Sequence, residues 1–304
     1  MPPGGESFKI KTAFSGGGKG TAIKKDYPAP EDWNSPLVDE SEIFGSLGER
    51  RGTVLFLGRY TVNEVSGVLA KMGFLKEARK RGLWPIAIDL DSSEYPPLQR
   101  FQIYHRDRVP DRLIVDLKIR EGVFDPKGKN LVPAPLREFS TLVFEWLTLQ
   151  NPEAEFSGRH GSLPGQLHPG LGMSKRIMDI FIYLGRTVGK DGLLAFPAYY
   201  HNAVLFSRYF KFANPAKEAE VQTIRRTFSH VPIKQMAWVV HRNCLKRTDG
   251  SPYEWTAEEQ VLPLVRDVRE HFESRAYRDR VREGLNRTKF TVDWDEFERK
   301  SRED

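Results

Sequence analysis

One stretch constrains the fold of this chain more than any other: Leu163 to Phe212, LPGQLHPGLGMSKRIMDIFIYLGRTVGKDGLLAFPAYYHNAVLFSRYFKF. After Gly170-Leu171-Gly172, apolar residues at Ile177, Ile180, Phe181, Leu184 and Val188 recur at helical spacing. Met178 and Ile182 widen that face, which predicts a largely buried helix. Gly189 ends it, and Arg186 and Lys190 suit its negative end. Gly192–Phe196 is too short and apolar for another helix, so it predicts a core strand stopped by Pro197. Asn202-Ala203 then opens a second, aromatic-rich helix. A glycine turn feeding a helix N-terminus presents free N–H groups and the positive end of the helix dipole, which is a phosphate-binding arrangement.

Other glycine motifs fit less well. A dinucleotide fingerprint beginning at Gly170 would need a third glycine where Lys175 stands, and a strand directly before the loop. Gly16-Gly17-Gly18-Lys19-Gly20-Thr21 lacks both the glycine–lysine order of a P-loop and a strand before it, and so predicts a linker.

Composition narrows the class. With 39% hydrophobic and 12% aromatic residues the chain is globular, and no apolar run approaches the roughly 20 residues of a membrane helix. The N-terminus MPPGGESFKIK carries no hydrophobic signal core. A single cysteine, Cys244, forbids an internal disulfide and fits a reducing, cytoplasmic setting; its apolar flanks place it in a strand. The net charge of +6 is spread out, and Arg266, Arg269, Arg275, Arg278, Arg280 and Arg282 alternate with Glu270, Glu273, Asp279 and Glu283. Such alternation predicts a solvated helix face and not a nucleic-acid surface, which needs unopposed basic residues beside aromatic ones.

Three regions are expected. Residues 1–50, rich in Gly, Pro, Ser and charge, form a flexible, disordered N-terminal arm. Residues 51–215 form the core: a strand at Thr53–Leu57, a helix from Val62 to Arg81, strands at Trp84–Asp89, Phe101–Tyr104, Leu113–Arg120 and Thr141–Leu147, then the glycine loop. Residues 216–304 form a mostly helical C-terminal extension, with a helix near Glu218–Phe228, a strand at Ala237–His241 and a helix from Ala257 to Arg282 behind a Thr256/Glu259 capping signal.

The Leu163–Phe212 segment resembles the GNAT superfamily of N-acetyltransferases. Gly170 and Gly172 match the two glycines of its Q/R-x-x-G-x-G/A loop, Asn202-Ala203 matches its Asn-Ala pair, and Phe206 and Phe212 match its closing phrase. Gln166 stands one residue early, Ser207 occupies the position of the usual proton-donating tyrosine, and Lys211 replaces a glycine. The resemblance implies an acyl-CoA N-acyltransferase-like fold of the α/β (α+β) class: a mixed sheet splayed at its middle, the thioester lying in the slot like an extra strand. It also implies acetyl-CoA as co-substrate, held at Gly170, Leu171, Gly172, Met173, Ser174 and Asn202, with direct attack by an amine of a small molecule or peptide.

No metal is expected, because the histidines match no ligand spacing. The catalytic candidates are Glu145 as base, in the strand beside the slot; Ser207 at the acid position, with Tyr199 or Tyr200 as its substitute; and His201, next to Asn202. His160 and His168 fall in the loop beside the slot. The same fold also serves as a non-catalytic acyl-CoA-binding or structural protein, a reading favoured by the missing tyrosine. It serves too as a long-chain N-acyl amino acid synthase-like enzyme, which the aromatic content of Phe196–Phe212 permits. An exposed sheet edge offers a surface for a homodimer.

Overall fold

The computed structural model describes residues 54–126, 136–156 and 161–303, so the expected arm and His160 lie outside the described residues. Two helices come first. At α1 (Val62–Lys71) the Thr61 side chain accepts from the Glu64 N–H, and the Glu64 carboxylate accepts from the Thr61 N–H. Gly73, at φ 77°, then turns the chain in a conformation that only glycine adopts freely, and α2 (Phe74–Lys80) follows. The one helix expected from Val62 to Arg81 is therefore two. Of the strand expected at Thr53–Leu57, the described residues hold only a bridge from Phe56 to Tyr60.

Four strands form an antiparallel meander: β1 (Ile86–Asp91), β2 (Gln99–His105), β3 (Leu113–Phe124) and β4 (Phe139–Leu149). Next come α3 (Ser174–Thr187), β5 (Gly192–Ala195), α4 (Tyr200–Phe206), β6 (Lys211–Phe212), α5 (Pro215–Thr227) and α6 (Ile233–His241). The chain continues through β7 (Leu245–Arg247), β8 (Gln260–Pro263), α7 (Arg266–Glu273), α8 (Arg275–Arg287), β9 (Phe290–Val292) and α9 (Trp294–Glu303). The large sheet runs β1-β2-β3-β4-β5-β8-β6, and β7 pairs with β9 in a small second sheet. Among the described residues only β4 and β5 pair in parallel, and α3 is the crossover between them.

Packing explains where local signals lose. Ala237–His241 is helical, not a strand, because Met236, Ala237, Val239 and Val240 form the buried face of a helix that starts after Pro232. Thr256 and Glu259 cap no helix: Gln260–Pro263 fills the gap between β5 and β6 and buries Val261 and Leu262. Helix resumes at Arg266 and again at Arg275, where the Ser274 hydroxyl accepts from the Tyr277 N–H. A boundary at residue 215 thus falls inside one sheet, since β8 lies beside both β5 and β6. Cys244 is buried in the turn after α6 rather than in a strand.

The main core lies between one sheet face and α1, α2 and α3, with Leu69, Phe74, Ile103, Leu117, Leu142 and Phe181 among its members. A second cluster seats α7 and α8 through Val268, Phe272, Tyr277 and Val281 against Val143, Leu194 and Val261. A third joins α4, α5 and α6 to the small sheet. An antiparallel meander, one parallel pair crossed by a helix, and a final strand inserted beside β5 make up the acyl-CoA N-acyltransferase-like fold. The expected lead-in of a strand, a helix and four strands is, among the described residues, two helices and four strands.

Candidate active site

The parallel pair sets the position of the site. β4 and β5 are in register from Thr141/Gly192 to Phe144/Ala195, and there β5 stops before Pro197. β4 continues to Leu149 with β3 as its partner, and among the described residues no strand lies beside its other edge from Glu145 to Leu149, after which Gln150 bridges Gly170. The β3–β4 register shifts at the same point: Lys118 faces Trp146 and Ile119 faces Phe144, which leaves Glu145 as the extra residue of a bulge. Bulges re-aim backbone and side chains, and here one coincides with the split. The result is a cleft of about 350 Å³, walled by Glu145–Leu149 of β4 with Gln150 beyond it, Ala195 at the end of β5 with the residues that follow to Tyr199, and residues of α3 and α4.

Gly170, Leu171, Gly172, Met173, Ser174 and Asn202, the residues expected to hold the cofactor, all line this cleft. Gly172 takes φ 64°, and a side chain added there would meet open space, so the position is strained for other residues but not crowded. No side chain caps α3, and its first turn carries no acidic residue. The first N–H groups of the helix and the positive end of its dipole therefore remain available at the cleft. The loop is held from behind. Arg81 Nε donates to the Leu171 carbonyl at 2.9 Å, and Arg176 Nη1 donates to the Met72 carbonyl at 2.5 Å. Neither contact was legible in the sequence, since Arg81 and Leu171 are far apart along the chain and no motif joins them.

The catalytic candidates separate into two groups. Glu145 lines the cleft and is exposed, but Arg120 Nε donates to its Oε1 at 2.6 Å, so the carboxylate is ion-paired. His201 also lines the cleft. It is buried, it stacks on Tyr199 with ring centroids 5.4 Å apart, and its Nδ1 has no hydrogen-bond partner. Burial, with a smaller push from His241, lowers the His201 imidazole to a pKa of about 4, so it is neutral at pH 7.

Tyr200 and Ser207 are not in the cleft wall. Tyr200 is 3% exposed, packs edge-on against Trp255, and has its phenol pushed up by burial. The Ser207 hydroxyl donates to the Val204 carbonyl at 2.8 Å and accepts from Arg225 Nη1 at 3.0 Å. The neighbouring Tyr199 does line the cleft, beside Gly165 of the preceding loop, and Gln166 and His168 line it from that same loop. Among the described residues no group of three or more His, Cys, Asp and Glu is placed to hold a metal ion, and no helix is long and apolar enough to cross a membrane.

No protein-family model and no curated protein matches the sequence. Three solved structures are similar to it. A KacTA–DNA complex gives a TM-score of 0.24 at 19% identity, covering 54% of this chain and 78% of that one. AtaTR bound with AcCoA gives 0.23 at 14%, covering 52% and 80%, and a mutant of the AtaT toxin gives 0.24 at 14%, covering 52% and 76%. Scores this low place no residue of the present chain, and the fold follows instead from its own strand order. That order, with the split between β4 and β5 and an uncapped helix at its mouth, is acyl-CoA N-acyltransferase-like.

Proposed function

We propose that the protein binds acyl-CoA in the β4–β5 cleft and transfers the acyl group to an amine of a small molecule or peptide. The observation that carries this reading is the coincidence of two features in one cleft: an unpaired β4 edge beyond Phe144, and the free N-terminus of α3 behind Gly170–Ser174. The unpaired edge suits an extended ligand that hydrogen-bonds like a strand. The helix N-terminus suits a pyrophosphate.

In this scheme the amine nitrogen attacks the thioester carbonyl, the tetrahedral intermediate collapses with loss of the C–S bond, and CoA leaves as a thiolate that takes a proton. Backbone N–H groups at the Glu145 bulge serve the oxyanion, being fixed dipoles where β4 leaves β5. Tyr199, the phenol in the cleft wall, serves as the proton donor to the thiolate. Glu145, ion-paired with Arg120, takes the proton of the amine, and attack depends on positioning of the two reactants. Neutral His201 orients the acceptor by accepting a hydrogen bond.

The pairing of Glu145 and the diversion of Ser207 to Arg225 also favour a second reading, acyl-CoA binding without turnover. Calorimetric titration with CoA and acetyl-CoA, beside a Gly172→Glu variant, tests both readings. Micromolar binding in the wild type and at least a tenfold loss in the variant are expected, because the new carboxylate would face the pyrophosphate. Absence of binding by the wild type would sink both readings, and binding with no acylation across an amine panel would leave only the second.

A further inference from the structure

We infer that residues 161–169 form a positioning strap for the proton donor, and that Gly165 is the residue that seats the Tyr199 phenol. The inference rests on the acyl-transfer reading above and adds to it what holds Tyr199 in place. The strap walls the cleft through Pro164, Gly165, Gln166 and His168. It is tied at both ends. On one side Trp238 Nε1, from α6, donates to the Ser162 carbonyl at 2.9 Å. On the other the Asn151 N–H donates to the Pro169 carbonyl at 2.7 Å, and Gln150 bridges Gly170. Between the ties the chain turns: the Gln166 N–H donates to the Leu163 carbonyl, and the Gln166 side-chain oxygen accepts from the Leu163 N–H.

Among the described residues no hydrogen bond holds the Tyr199 hydroxyl, so packing sets its place. His201 stacks on the ring with centroids 5.4 Å apart, His241 meets it at a steep angle at 5.8 Å, and Gly165 abuts its tip. A Cβ on Gly165 would overlap the hydroxyl oxygen and come within 2.5 Å of Cζ. Only glycine lets the strap backbone lie this close to the phenol, and φ at that position is 76°. Trp238, which ties the strap, also packs against His241 at 5.5 Å, so one side chain steadies two supports of the ring. The hydroxyl is thereby fixed in the cleft wall and left free to donate. When the C–S bond breaks, the proton moves from the Tyr199 oxygen to the CoA sulfur, and the phenolate regains one from solvent at the exposed Gly165. A misplacement of about 1 Å costs such a step up to about a hundredfold.

A double-mutant comparison of Gly165→Ala and Tyr199→Phe decides the matter, with kcat/KM measured on an amine that the wild type acylates. Gly165→Ala alone should lower kcat/KM at least about tenfold. In the Tyr199→Phe background it should cost no more than about twofold, since no proton is left there to misplace. Gly250→Ala isolates backbone strain: φ is 82°, an added Cβ meets nothing within 4 Å, and the residue is outside the cleft wall. It should leave kcat/KM within about twofold of the wild type. Trp238→Phe, also outside the cleft wall, unties the Ser162 carbonyl and gives the same comparison if Gly165→Ala fails to fold. Equal losses in both backgrounds, or no loss with Tyr199 in place, overturn the inference and leave acyl transfer standing. CoA binding with no amine acylated overturns the inference together with transfer.

Discussion

Adjacent tyrosines at the start of α4 show how one residue of helical phase decides chemistry. Tyr199 precedes the helix and faces the cleft, whereas Tyr200 is its first residue and turns into the core against Trp255. Under the proposed mechanism Tyr199→Phe should lower kcat/KM about a hundredfold, the usual worth of a positioned proton donor. Tyr200→Phe should leave it within about twofold, since the lost hydroxyl lies off the cleft. Steady-state kinetics on an amine accepted by the wild type separates the two. Equal effects of the two substitutions would remove Tyr199 from the mechanism.

At the scale of elements, α3 must lie close to the sheet for its N-terminus to reach the cleft. Gly185 permits that approach: a Cβ there would come within 2.6 Å of both Leu193 Cδ2 and Leu264 Cδ1. Gly185→Val should destabilise the protein by about 1–3 kcal/mol through overpacking. The check is the urea midpoint at unchanged slope, and an unshifted midpoint would mean that α3 can ride outward at little cost. The opposite end of the helix lines the cleft, so a smaller loss in Gly185→Ala accompanied by weaker CoA binding would tie packing to the proposed site.

For the whole molecule, buried neutral histidines set a pH dependence. Folded His201 takes up its proton only at about pH 4, whereas an unfolded histidine does so near pH 6.5. Between these values the unfolded chain binds more protons, so stability rises with pH across the window. The contribution is whole above about pH 6.5 and is lost as pH falls toward 4. At pH 5 the loss due to His201 is about 2 kcal/mol, and His271, also lowered by burial, acts in the same direction. Denaturant midpoints at pH 7 and pH 5 should show this drop, and His201→Phe, which keeps a ring over Tyr199, should reduce it. A drop of the same size in that variant would assign it to other groups.

What the sequence determined by itself was local and periodic. The buried stripe from Ile177 to Leu184, the short GLLAF strand and the glycine turn each follow from residues within a few positions of one another, and the helix start that lines the cleft was legible for the same reason. Gly73 was visible in the sequence as well, but only its left-handed φ shows that it ends a helix. Tertiary structure decided the rest, because the deciding partners are remote in sequence. Gln260–Pro263 became a strand since a gap between β5 and β6 awaited its backbone, overriding a capping signal that local chemistry made plausible. Arg120 claimed Glu145, Arg225 claimed Ser207, and Trp255 claimed Tyr200, which removed or altered three candidates without a trace in their own neighbourhoods. Side-chain periodicity announces which face of an element is buried; which group it is buried against depends on strand pairing, and pairing is a property of the assembled sheet.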